Sequence, residues 1–176
     1  LYWEKVRLSN LVQQRIPYLR DIKRTLKLSV AALCLELKCP FLDQEMLGNP
    51  QYALSVIEGR EKEIRDWFGG IENGGALESP NVAGILICLN HIATLYLQSP
   101  RERLLALSHL YEDRPSIRDD FFNVVHNIDQ ARAYFSHPYF STKKVDLPPA
   151  GQKMLGDIGR QLIDILTQVT DALADE

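Results

Sequence analysis

The stretch PAGQKMLGDIGRQLIDILTQVTDALA, residues 149–174, decides the fold class. Its apolar members Met154, Leu155, Ile158, Leu162, Ile165, Leu166 and Val169 recur at intervals of one, three and four residues. That spacing paints one face of a helix and sustains it for more than four turns. A proline at Pro149 suits the first helical position, where its missing N–H costs no bond. Working outward, Pro115-Ser116 opens a second such segment, rich in Phe121, Phe122, Val125 and Ile128 and reaching about Phe135. Upstream, Ile22, Leu26, Val30, Leu33 and Leu37 predict a long amphipathic helix to about Lys38, with Cys39-Pro40 ending it. Leu8, Leu11, Val12 and Arg15 begin a stripe before it. Pro17 is expected to bend or split that N-terminal element, because it removes a donor and clashes with the preceding turn.

Between these helices the spacing predicts three more. One runs from Asn49-Pro50 to Phe68 and is followed by a mobile loop containing Gly69-Gly70 and Asn73-Gly74-Gly75. Two others start at Ser79-Pro80 and Ser99-Pro100, with serine as cap and proline at the first helical position. Nowhere do Val, Ile, Thr and aromatics alternate for six residues between turn signals, so strands are not expected. The expectation is a single all-α domain over residues 1–176, an antiparallel bundle of five to seven helices.

The 176 residues carry 45% hydrophobic and 24% charged side chains and a net charge of −3. That composition excludes a disordered or collagen-like chain and a strongly basic nucleic-acid coat. Cys34, Cys39 and Cys88 cannot pair evenly and form no CxxC unit, which predicts reduced, buried thiols in a cytoplasmic setting and neither a disulfide framework nor a zinc site. The longest apolar run, Val82 to Leu97, is interrupted by Gly84, Asn90 and His91. It falls short of the roughly 20 residues that span a bilayer and reads as a core helix.

Charge is segregated. Residues 1–38 hold eight basic and three acidic groups, whereas residues 145–176 hold two basic and six acidic ones. Arg15, Arg20, Lys23, Arg24 and Lys27 form a candidate positive face for phosphates, with Arg20, Lys23 and Arg24 as RNA contacts. The alternative is a solvated face, or one that packs near the acidic end.

Most familiar chemistry is missing. His91, His109, His126 and His137 fall on different segments without an HExxH-type pair, so no metal or other cofactor is expected. His91 and His109 sit among Ile, Leu and Ala and read as core or boundary residues. The glycine pairs lack the Lys-Ser/Thr of a phosphate-cradling loop. Asp119-Asp120 near a helix start reads as dipole complementation.

One segment carries more, Asp129-Gln-Ala-Arg132-Ala-Tyr134-Phe-Ser-His137-Pro-Tyr139. On an unbroken helix, residues five apart diverge by about 140°, so Arg132 and His137 could not share a site. His137, however, precedes a proline, which drives it toward extended geometry and ends the helix near Ser136. The imidazole is then free to swing back beside the guanidinium. A permanently charged, phosphate-matching fork and a ring that titrates near neutrality form a workable pair for attacking a phosphodiester. Tyr139 adds a polar donor, and Tyr134 either stacks on unpaired bases or fills the core.

This segment resembles the Arg-x(4)-His-x-Tyr signature of HEPN domains, small all-α ribonucleases whose motif lies between the penultimate and last helices. The resemblance implies a HEPN-like bundle and a homodimer whose two motifs meet across the interface. It also implies metal-independent RNA cleavage, in which the ribose 2′-hydroxyl attacks its own phosphate and leaves a 2′,3′-cyclic phosphate. Arg132 would hold and polarise the phosphate, His137 would act as acid/base, and Asp129 and Tyr134 would support them. Tyr139 matches a position that can be covalently modified in systems paired with a nucleotidyltransferase antitoxin. A toxin or antiviral defence role follows, with a protein antitoxin or a larger effector assembly as partner and no membrane. Ala133, where the family usually has Asn or Asp, and the bulky Phe135 motivate the alternative, a catalytically silent interaction or sensor module.

Overall fold

The structure, a computed structural model, describes residues 1–43, 45, 49–78, 80–112, 114–141 and 145–175. Among them are seven α-helices and no strand: α1 (Tyr2–Glu36), α2 (Pro50–Gly59), α3 (Glu61–Glu72), α4 (Val82–His91), α5 (Gln98–Ala106), α6 (Pro115–Phe135) and α7 (Pro149–Ala174). A π-helical turn, Ile92–Tyr96, extends α4, and short 3-10 turns cover Ser108–Tyr111 and Pro138–Phe140.

Helix α7 is the centre, packing against α3, α1 and α6. Its stripe is buried as the spacing predicts, with Leu155, Ile158, Leu162, Ile165, Leu166 and Val169 shielded and Met154 at the margin. Periodicity did not single out its glycines. A methyl group on Gly156 would lie 2.7 Å from the Phe68 carbonyl oxygen, and one on Gly159 would overlap the Phe68 ring. These bare positions let α3 approach to backbone contact. Outside the apolar seam, Arg160 reaches Glu72 at 2.9 Å and Asp157 at 2.5 Å, and Arg65 reaches Asp164 at 2.6 Å. The Glu72 hydrogen bond holds the Arg160 guanidinium above its ordinary pKa, so it is charged whenever the protein is folded.

Several sequence expectations are corrected. α1 runs unbroken through Pro17, because Arg15 and Leu19 on either side are both buried and tie the segments to one core. Arg15 donates to the Leu110 carbonyl at 3.2 Å and so leaves the proposed basic face. The helix expected to run to Phe68 is instead two, broken at Arg60 (φ −130°), after Gly59. Gly69-Gly70 belongs to the last turns of α3, where burial of Phe68 and Ile71 outweighs the glycines' low propensity. Asn73 to Gly75 do form a turn, with Gly74 at φ 91°. α4 starts at Val82 under an Asn81 cap whose side chain accepts from Gly84 N–H, and Ser79 lies outside the described residues. α5 begins at Gln98, so Pro100 occupies its first turn, not its first position. Asp119 and Asp120 lie beyond the first turn of α6, beside Arg118 and Gln168.

All three cysteines are buried, as expected. Burial and the nearby Glu36 carboxylate push the Cys88 thiol up to about 12. Among the described residues no helix is long and apolar enough to cross a membrane.

The α3–α7 contact predicts that Gly159→Ala lowers unfolding free energy by about 1–3 kcal/mol, the usual cost of overpacking, despite alanine's better helix propensity. Denaturant melts of Gly159→Ala, Phe68→Leu and the double variant should show the double variant less destabilised than the sum. Strict additivity would place the contact elsewhere.

Candidate functional site at the end of α6

The C-terminal end of α6 is set by the local sequence. Phe135 is its last helical residue, and Ser136 closes it by donating its N–H to the Arg132 carbonyl at 3.0 Å. His137 then takes φ −59°, ψ 140°, the extended conformation that a following proline imposes. Its Nδ1 accepts the Tyr139 backbone N–H at 3.1 Å, capping the Pro138–Phe140 turn. That bond requires an unprotonated Nδ1, so in this arrangement the ring proton sits on Nε2. The exposed imidazole therefore presents a donor outward. To act as a base through Nδ1 it has to release Tyr139.

The aromatic residues around it divide between wall and core. Phe135 is buried, Tyr134 is half-buried, and Tyr139 is 58% exposed. Tyr134, Phe135 and Phe140 form a cluster with centroids 5.1–5.7 Å apart. A methyl group on Gly151 of α7 would stand 3.0 Å from Phe135 and 3.1 Å from Tyr134, so the start of α7 clamps this cluster. Ala133, Tyr134, His137, Tyr139, Phe140 and Pro148 line a largely apolar hollow of about 370 Å³.

Arg132 lies elsewhere. Its Nε donates to Asn90 Oδ1 at 2.7 Å and its Nη1 to Asp129 Oδ1 at 3.0 Å. The half-buried guanidinium borders a separate hollow of about 460 Å³ between α6 and the π-helical turn with α5. No hydrogen bond joins Arg132 to His137, and the two groups border different hollows. Asp129 thus fixes one end of the Arg132 guanidinium.

The other candidates are dispersed. Lys23 and Lys27 turn toward Glu58 of α2, at 3.9 and 3.1 Å, which pulls the Glu58 carboxyl below its usual range. Arg20 and Arg24 stay exposed on α1. His91 and His109 are exposed, not core or boundary residues. α5 ends at Ala106, between Arg103 and His109, and Arg103 pairs with Asp21. Among the described residues no group of three His, Cys, Asp or Glu side chains is arranged to hold a metal ion.

Compared with known proteins, the chain matches no family model, no curated protein and no solved structure.

Sequence reasoning missed Asn90 as the partner of Arg132. Asn90 had a signal, being a polar residue inside an otherwise apolar run, but its partner lies 42 positions away. The pre-proline constraint predicts that Pro138→Ala lets α6 extend. The His137 ¹³Cα chemical shift should then move toward helical values. An unchanged shift would mean that the turn, not the proline, fixes the ring.

Proposed function

We propose that the chain is a metal-independent endoribonuclease of HEPN type that acts as a toxin or defence effector in the cytoplasm. The observation that carries this is the end of α6 at Phe135, two residues before His137, which leaves a donor-bearing imidazole exposed two residues from Tyr139. In the reaction, the 2′-oxygen loses its proton and bonds to the adjacent phosphorus, and the P–O5′ bond breaks. The 5′-oxygen takes a proton, leaving a 2′,3′-cyclic phosphate. His137 Nε2–H is suited to give that proton. The Arg132 Nη atoms have donors left for non-bridging oxygens after Asn90 and Asp129 are served. Because the two groups border separate hollows in one protomer, the site is completed by a second copy. One copy's imidazole then gives its Nε2 proton to the 5′-oxygen beside the other copy's guanidinium, and the 2′-hydroxyl proton passes to water. A protein antitoxin or larger assembly restrains the activity.

A catalytically inactive interaction module is the second reading. The bonds of Arg132 to Asn90 and Asp129 favour it, since they occupy two of the groups that would hold a phosphate.

Cleavage of single-stranded RNA in EDTA separates the two. The nuclease is expected to cut, and Arg132→Ala or His137→Ala should each reduce the rate by about 100-fold or more. A well-folded protein that leaves RNA intact, or whose cutting survives both substitutions, would overturn the nuclease in favour of the module.

A further inference from the structure

The larger hollow beside Arg132 has its own construction, and His137 plays no part in it. After Asn90 and His91 the helix widens into the π-helical turn Ile92–Tyr96, where Leu97 N–H reaches five residues back to the Ile92 carbonyl at 3.0 Å. The chain then bends by 41° into α5. Such single π turns are frequent at functional sites. Here the turn and bend open about 460 Å³ facing α6, within the range of small-molecule sites, roughly 300–1,000 Å³.

The lining is chemically mixed. Leu105, 62% exposed although it faces this concavity, supplies the open apolar surface, over the buried Leu97 and Val125. Arg101 is exposed, its guanidinium making no hydrogen bond or ion pair among the described residues, and Arg132 is oriented by two bonds. Opposing these cations are Asp129, with one carboxylate oxygen uncommitted, and Glu102, held only by a 3.4 Å bond from Gln98. Two guanidinium groups and two carboxylates leave the lining near neutral, which suits a singly or doubly charged phosphoryl group and opposes a polyphosphate. The carboxylates call for hydroxyl or N–H donors on the same ligand, which a plain fatty carboxylate lacks.

We propose that this hollow binds one nucleoside monophosphate unit. Its phosphoryl group lies between Arg101 and Arg132, its sugar or base donors meet Asp129 and Glu102, and its base rests on Leu105. The unit is either a free nucleotide or one residue of an RNA strand, and neither source requires that the chain cleave RNA.

Titration of uridine 5′-monophosphate and of a single-stranded RNA hexamer, followed by backbone amide NMR shifts, tests this. Shifts centred on Thr94, Leu97, Arg101 and Leu105 are expected, with Arg101→Gln weakening binding by about tenfold or more, the loss of one charge-assisted bond. Leu105→Asp, at an exposed position, should weaken it as well. Monophosphate binding marks a free nucleotide as sufficient, and hexamer binding alone marks a strand. Either result supports the site whether or not RNA is cut. No binding at millimolar probe, shifts confined to His137–Phe140, or affinity untouched by both substitutions would overturn it and leave the nuclease proposal to its own assay.

Discussion

The approach of α3 to α7 through Gly156 and Gly159 is the contact on which the rest of the molecule depends. α7 packs against α1, α3 and α6 together, and α3 is its most extensive neighbour among the described residues. With no side chain at these positions, the Phe68 ring and the backbone near Glu72 sit where a Cβ would otherwise stand. Interiors at crystal-like density do not forgive such an intrusion. The charged groups of Arg160, Glu72, Asp164 and Arg65 then close the outer edge of the seam, where partial exposure keeps their contribution modest. Through Gly151 the same helix seats Tyr134 and Phe135, so the end of α6 inherits its position from α7.

Much of this was legible in the sequence wherever local signals agreed with packing. Pro115 and Pro149 at first helical positions, followed by uninterrupted stripes, gave α6 and α7 with the bounds observed. Local rules failed where tertiary burial overrode them. Pro17 does not split α1, since Arg15 and Leu19 are buried on both sides of it, and Gly69-Gly70 stays helical because Phe68 and Ile71 face α7. The break at Arg60 lies in the polar run from Glu58 to Glu63, a gap that the expectation of one helix passed over, while the π-helical turn after the polar pair Asn90-His91 is itself apolar and spacing does not set it apart from α4.

The site was legible to a similar degree. Pro138 after His137 gave the helix end and the extended imidazole directly. Which groups the released ring and the arginine would meet depends on distant chain: Tyr139 N–H is local, but Asn90 comes from another helix. The expected meeting of Arg132 with His137 inside one molecule is replaced by two hollows, one aromatic around the imidazole and one mixed in charge around the guanidinium. A phosphodiester strand has the length to engage both, and a two-fold contact has the symmetry to bring them together.

That division of labour is tested most directly by mixing two variants, Arg132→Ala and His137→Ala, each inactive alone, after exchange of subunits. A site built from one copy's guanidinium and another's imidazole regains RNA cleavage, because the mixed dimer contains one intact pairing. Persistent inactivity of a mixture shown to contain mixed dimers would contradict a shared site.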